Sequence, residues 1–287
     1  MRLRSASWGL LAAALAIGTF TDTAAHPAPM FLGGYRVLSG DLHLHPFPLS
    51  ASSLTPWDLM WDAQHDGVDV VAISGHNEVW SGRAARWISR HLGGPTVLAA
   101  EEIHGPRFHM IAAGIHSNIS WRLSAAEAIE EIHRQGGVAI AAHPTGGAWR
   151  AYDSAAMRQL DGSEVLQPTA YNSAQSEWEL RKFYGRKPMA AIGSSDWHGL
   201  GRPGLCRTWL FVHADNEREV LQAIRDRHTV VYDRGEYFGD PALVALARTE
   251  PRLTQSPRPP PWAVLSRTLG LVGLLGLLWT VTMPGPE

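Results

Sequence analysis

Between Gly34 and about Ala247, short apolar, β-branched runs alternate repeatedly with longer runs whose apolar positions recur at helical spacing. The pattern predicts strands near Arg36 to Leu42, Val68 to Ile73, Thr96 to Ala100, His109 to Gly114, Val138 to Ala142, Ser163 to Leu166, Met189 to Gly193 and Thr208 to Val212. Helices are predicted over Thr55 to His65, Ser81 to His91, Ser124 to Gln135, Ser173 to Tyr184 and Asn216 to Arg227. Thr55-Pro56 reads as a cap followed by a first-turn proline, and Ser124 with Glu127 as a capping box. Such alternation implies an α/β fold with a largely parallel sheet covered by helices, either a barrel or a doubly wound sheet. In both, chemistry gathers at the C-terminal ends of the strands. Residues 34–247 read as one domain.

The pattern changes at both ends. Arg2 and Arg4 precede a mostly apolar run from Trp8 to Phe20, followed by small residues at Thr23-Ala24-Ala25, which reads as a signal peptide over residues 1–25, cleaved after about Ala25. Residues 248–261, Pro-rich from Pro251 onward, read as an extended linker. Trp262 to Met283 follows as a transmembrane helix whose only charge is Arg267, placed to snorkel, with Trp262 and Trp279 suited to interfaces. Arg252 and Arg258 before that helix favour a cytoplasmic side, whereas a signal segment exports the domain. The earlier-acting signal takes precedence, so the domain is expected to be exported and membrane-tethered, on the periplasmic or extracellular face.

Composition narrows the chemistry. In 287 residues, 25 Lys+Arg balance 27 Asp+Glu, and the net charge of -2 excludes a basic nucleic-acid binder. The only lysines are Lys182 and Lys187, whereas histidine occurs 14 times. A single cysteine, Cys206, excludes a disulfide framework and a Cys-based zinc site, so any metal must sit on His and carboxylates.

Those residues concentrate just after the predicted strands. The first strand ends in Asp41-Leu42-His43-Leu44-His45, and alternation along a strand points His43 and His45 the same way, able to bind one ion. The second ends at His76, the third at Glu101-Glu102, the fourth begins with His109, and the fifth ends in His143-Pro144. The seventh ends in Asp196-Trp197-His198, repeating the i, i+2 pairing. Any lone histidine at a strand end reads more naturally as structural, but together they point to a metal centre. His26, His65, His91, His104, His116, His133, His213 and His228 read as surface or packing residues, with His104 the substitute if a ligand is missing.

The ordered set His43-x-His45, His76, Glu102, His109, His143-Pro144 and Asp196-x-His198 resembles the PHP superfamily, named for its polymerase and histidinol-phosphatase members, over roughly Arg36 to Asp240. It is also similar to an exported, carbaryl-hydrolase-like branch of metallohydrolases. The resemblance implies a distorted seven-stranded β/α barrel. It implies one ion on His43, His45, Glu102 and Asp196, a second on Glu102, His109 and His143, and a third drawing on His76 and His198. Glu102 is taken as the bridge because Ile103 follows it, with Glu101 the alternative if the register slips by one. Two departures affect the third ion: Pro46 to Ser53 lacks an acidic or His ligand, and Gly75 stands where the family has Asp. Two divalent ions (Zn, Mn or Fe) are therefore expected, with a third weak or absent.

The function that follows is a metal-dependent hydrolase, most simply a phosphoesterase in which two ions share a hydroxide. Asp196 would orient the water or accept its proton, while His198 or His76 would protonate the leaving oxygen. Asp41 is expected to fix an imidazole through its second nitrogen. Arg83, Arg150 and Arg202 are candidates for binding an anionic, small-molecule substrate, and Trp80, Trp149 and Trp197 for walling its pocket. The alternatives are a carboxyl- or carbamate-ester hydrolase and a non-catalytic, metal-binding module at the membrane. A lysine-bridged amidohydrolase barrel is disfavoured, since neither lysine lies at a strand end.

Overall fold

The computed structural model describes residues 2–22, 29–48, 50, 52–168, 172–199, 202–254 and 261–282. The chain divides into two compact units, Met1–Pro27 with Pro257–Glu287, and Ala28–Ser256.

In chain order the described elements are α1 (Arg2–Asp22), β1 (Met30–Leu32), β2 (Tyr35–Leu44), α2 (Pro56–His65), β3 (Val70–His76), α3 (Trp80–Leu92), β4 (Thr96–Gly105) and β5 (Phe108–Ala113). There follow α4 (Ala125–Arg134), β6 (Val138–Ala141), α5 (Ser154–Gln159), β7 (Gly162–Leu166), α6 (Ala174–Tyr184), β8 (Ala190–Gly193), β9 (Thr208–Val212) and α7 (Glu217–Arg225). The last are β10 (Thr229–Asp233), β11 (Glu236–Gly239), α8 (Pro241–Ala247), a 3-10 turn at Pro251–Thr254, and α9 (Pro261–Thr282).

The larger unit is an α/β barrel-like fold. One mixed sheet runs in the order β11-β10-β9-β2-β3-β4-β5-β6-β7-β8, with β1 added beside β2. This corrects the expectation of a largely parallel, seven-stranded barrel. Parallel pairing holds for β2/β3/β4 and for β6/β7/β8, where helices provide the crossovers. The β4/β5/β6 and β11/β10/β9/β2 pairs are antiparallel. The sheet curls until β8 meets the start of β9. There Gly193 N donates to Thr208 Oγ1, and the same hydroxyl donates to the Gly193 carbonyl, both at 2.9 Å. Only glycine fits at this near-closure, because a Cβ on residue 193 would lie 2.5 Å from the Arg207 carbonyl oxygen.

Alternation along the strands sorts the apolar residues into two shells. Val70 and Ala72, Leu98 and Ala100, Ile111 and Ala113, Ile140 and Ala142, and Ala190 and Ile192 share one cluster with Val220 and Ile224 of α7. Residues of opposite parity, such as Ala99, Ile103, Met110 and Ala112, pack against Ile129 and Ile132 of α4. Val71 and Ile73 pack against Leu59 and Met60 of α2. The predicted caps form: Thr55 Oγ1 accepts from Asp58 N, and Ser124 with Glu127 makes a reciprocal capping box.

The Pro-rich stretch begins folded rather than extended. Leu253 in the 3-10 turn is buried, and its carbonyl accepts from the Trp209 indole at 3.1 Å. Residues 255–260 lie outside the described residues.

In the smaller unit α1 packs on α9. Gly270, Gly273 and Gly276 of α9 meet Ala14, Leu11 and Ser7 of α1. Ser266 Oγ donates to the Ala14 carbonyl at 2.7 Å. Among the described residues, one helical stretch, Val264–Thr282, is long and apolar enough to cross a membrane. The cleavage position after Ala25 and the Arg267 side chain lie outside what is described.

Candidate metal centre

A single extra residue in β2 aims the first ligands. Asp41 pairs with Val71, but Leu44 pairs with Ile73, so the register shifts by one between them. Beyond the shift, His43 and His45 fall on the face of the sheet that carries Ala72, Ser74 and His76. Glu102 lies opposite His76 in β4, and His109 lies opposite His104 across the β4/β5 pair. His143 and Asp196 follow the ends of β6 and β8. Both have left-handed backbone, φ 25° and 49°, as does Asn77 (φ 52°) after β3. Such conformations cost non-glycine residues roughly 1 kcal/mol each and persist where surrounding hydrogen bonds hold them.

All eight sequence-predicted ligands converge, and the hub is the nearly buried carboxylate of Glu102. Its Oε1 lies 3.0 Å from His143 Nε2 and 3.1 Å from His109 Nδ1. Its Oε2 lies 2.7 Å from His104 Nε2, 3.3 Å from His76 Nε2, 3.5 Å from His45 Nε2 and 3.6 Å from His43 Nε2. Opposite, Asp196 Oδ1 lies 3.3 Å from His43 Nε2 and 3.1 Å from His45 Nε2, which are 2.9 Å from each other. His198 stacks on His45 with ring centroids 4.0 Å apart, and its Nδ1–H is placed to donate to the Asp196 carbonyl at 2.8 Å.

This donor set fits divalent metal ions. Bonds of about 2.0 Å in a tetrahedron place donor atoms about 3.3 Å apart, close to the spacings among His43, His45 and Asp196. Asp196 Oδ1 and His109 Nδ1 are buried without a well-formed hydrogen bond despite their near neighbours, as expected of lone pairs aimed at a common point. The electrostatics agree. Burial opposes ionisation of Glu102, yet the His43 charge and hydrogen bonds from His104 and His143 hold it well below the usual carboxylate range. Asp196 is likewise depressed, against burial, by His43 and His45. Burial would depress His43, but Asp196, Glu164 and Glu102 raise it well above the usual histidine value. Burial and the neighbouring His43 charge lower His45 to about 3.

The sequence reading missed Glu164. This fully buried residue of β7 is 2.8 Å from His43 Nδ1 through Oε1, which also accepts from Ser194 Oγ, while Oε2 accepts from His143 N at 2.6 Å. It performs the task expected of Asp41, fixing an imidazole through its second nitrogen. Asp41 instead holds backbone: it accepts from Ser195 N at 3.0 Å and Gly204 N at 2.7 Å, pinning the segments that flank Asp196. Glu101 faces away from the centre. Its Oε1 accepts from Ile119 N at 2.6 Å, and burial pushes its pKa up to about 7.

The loss at Gly75 removes no ligand. Gly75 lies opposite Glu101 in the β3/β4 pair, on the side away from His76. Its missing side chain is replaced by the carboxylate of Glu78, which a Cβ on residue 75 would strike and which Ser81 N and Oγ hold. In the other departure, Pro46 to Ser53, the buried Ser50 places its hydroxyl 3.4 Å from His45 Nδ1.

The rim differs from expectation. Arg202 is not free for an anion: its Nε and NH2 grip Asp66 at 3.0 and 2.5 Å. Arg83 and Arg150 are exposed. Trp197 walls no pocket. It is buried against Leu44, with its carbonyl accepting from His45 N at 3.1 Å. Trp80 and Trp149 are partly exposed. Lys187 Nζ donates to the Leu160 carbonyl at 2.6 Å and Lys182 lies over the Trp178 ring, so neither lysine belongs to the centre.

No family model matches the chain. Over 168 residues it is 29% identical to an uncharacterized protein of Methanocaldococcus jannaschii, covering 54% of this chain and 96% of that one. A lesion-specific endonuclease from Pyrococcus furiosus superposes with a TM-score of 0.45 and 17% identity, over 71% of this chain and 57% of that one. The crystal structure of a two-domain protein from Bacteroides vulgatus, containing a predicted PHP-like metal-dependent phosphoesterase, gives a TM-score of 0.60 at 19% identity, over 79% of this chain and 74% of that one. In fold, therefore, the larger unit is similar to that PHP-like protein.

Proposed function

We propose that this chain is an exported, membrane-tethered, metal-dependent hydrolase of ester bonds, with small-molecule phosphoesters as the leading substrate class. It would stand in the branch similar to carbaryl-hydrolase-like metallohydrolases. One observation carries the reading: the two oxygens of Glu102 face different imidazoles, with Asp196 closing one side. One carboxylate so placed can join two ions. His43, His45, Glu102 and Asp196 would hold the first, and Glu102, His109 and His143 the second.

When bound, two divalent ions supply Lewis acidity and a nucleophilic water at neutral pH. The chain's own residues orient and exclude. Glu164 holds the His43 ring, and Asp41 with Glu164 holds the backbone beside Asp196 and His143. Asp196 accepts a proton from the attacking water. His198, with Nδ1 2.8 Å from the Asp196 carbonyl and its ring 4.0 Å from that of His45 and 5.6 Å from that of His76, borders the centre, where it can serve the leaving oxygen as an acid. The near-neutral chain reads against a nucleic-acid partner. Pairing of Arg202 with Asp66 removes one rim cation, which favours an uncharged carboxyl or carbamate ester as the second reading. The apolar stretch Val264–Thr282 supports tethering.

The test uses full-length, detergent-solubilised protein: metal content, together with hydrolysis of an aryl phosphate and an aryl carbamate. At least about two ions per chain and a loss of about 100-fold or more in Asp196→Asn are expected. Less than about one ion per chain, unaltered by His43→Ala, rejects a metal enzyme. Turnover of the carbamate alone selects the second reading.

A further inference from the structure

We propose that His104 is a metal ligand, and that His76, Glu102 and His104 form a divalent-ion position beside the two-ion core. The inference rests on the metal-dependent reading above and adds a ligand to it.

Glu102 and His104 are an i, i+2 pair at a strand end, like His43 with His45 and Asp196 with His198. In β4 they project to the same face. His104 lies opposite His109 in the β4/β5 pair, and their rings stack at 4.1 Å with planes 10° apart. The His104 ring is 4.3 Å from that of His76, and both Nε2 atoms approach Glu102 Oε2, at 2.7 and 3.3 Å. One donor atom from each of the three residues lies within 4.8 Å of the others.

The backbone is built to keep this spacing. Asn77, in left-handed conformation, donates from its N to the Glu102 carbonyl at 2.9 Å and accepts from His104 N through Oδ1 at 2.9 Å. This clasp joins the end of β3 to the end of β4 and holds His76 and His104 in register. Unlike the fully buried His43 and His45, the His76 and His104 side chains are 28% and 35% exposed, which leaves coordination positions for water. Two imidazoles and one carboxylate form an open three-ligand site suited to a borderline ion such as Zn. The missing ligand of the Pro46 to Ser53 stretch is thus made up from β4.

The competing role for His104 is a hydrogen bond to Glu102 and nothing more. His104→Gln separates the two, since a glutamine amide can still donate to Glu102 but supplies no imidazole. Full-length protein is loaded with Zn alone, or with Co for its visible spectrum, and bound ions are counted along a chelator titration. The wild type is expected to hold about three ions, one leaving at chelator concentrations about tenfold lower or more. His104→Ala and His104→Gln are expected to hold about two, with unchanged near-ultraviolet circular dichroism. A wild type with two ions, or His104→Gln retaining three, overturns the inference and leaves the two-ion reading standing. Loss of more than one ion from a folded variant would place His104 in the core and overturn the separate position. A wild type with fewer than two ions sinks the two-ion reading itself.

Discussion

Glu164 and His43 are separated by 121 positions, yet their contact is among the most consequential in the molecule. A carboxylate on the far imidazole nitrogen fixes ring orientation and tautomer, and loss of such support costs about 10–100-fold in metal affinity. Glu164→Gln preserves shape but places an amide against His43 Nδ1 and Ser194. It is expected to weaken ion binding by about that factor, read by competition with a chromogenic chelator; unchanged affinity would reduce Glu164 to packing. The residues legible in the sequence were those marked by local spacing: His43-x-His45 and Asp196-x-His198 lie within one strand end each. Glu102-x-His104 carries the same spacing, although the sequence reading places His104 among surface or packing residues and keeps it only as a substitute ligand. Glu164 had no such mark, since a glutamate in a short strand looks like any solvent-facing one until the sheet brings His43 beside it.

At the scale of elements, the strongest signals were those set by neighbours in the chain: five amphipathic helices, two of them with the caps at Thr55 and Ser124, and eight strands with β-branched cores. The β10/β11 hairpin escaped because its turn, Arg234-Gly235, has left-handed backbone at both positions without the Asn or Asp that usually announces it. Helix α5, of six residues, was too short to show a period. The bulge that turns His43 and His45 inward is a relation between β2 and β3, invisible in either alone. The packing of α1 on α9 makes its own prediction. In a chain that keeps residues 1–25, Ser7→Cys with Gly276→Cys is expected to form an intramolecular disulfide in oxidised membranes, seen as a mobility shift that reductant abolishes. A mature chain starting after Ala25 would show none.

For the whole molecule, strand–helix alternation pointed to a barrel-like α/β fold but overstated its parallel character. The short turn between Gly105 and Phe108 leaves no room for a crossover, so β4 and β5 must run antiparallel. Among the described residues, every strand and every large apolar cluster lies within Ala28–Ser256. That segment expressed alone is expected to unfold in one cooperative thermal transition with the far-ultraviolet signature of a mixed fold. Broad, non-cooperative melting would show that the terminal helices are needed for folding.

The loop after His143 is bracketed by two anchors. On one side Glu164 holds His143 N; on the other the buried Tyr152 hydroxyl donates to the His109 carbonyl at 2.5 Å. Between these posts, residues 145–151 are held by Gly146 N on Glu179 at 2.7 Å and by Ala151 against the core, and they carry none of the eight predicted ligands. Exchange of the chemistry at Trp149 and Arg150 is expected to leave the ligands in place. Under the proposed function, Trp149 and Arg150 of this loop would choose the substrate while the ligands stay in place, so the two traits would be open to independent redesign.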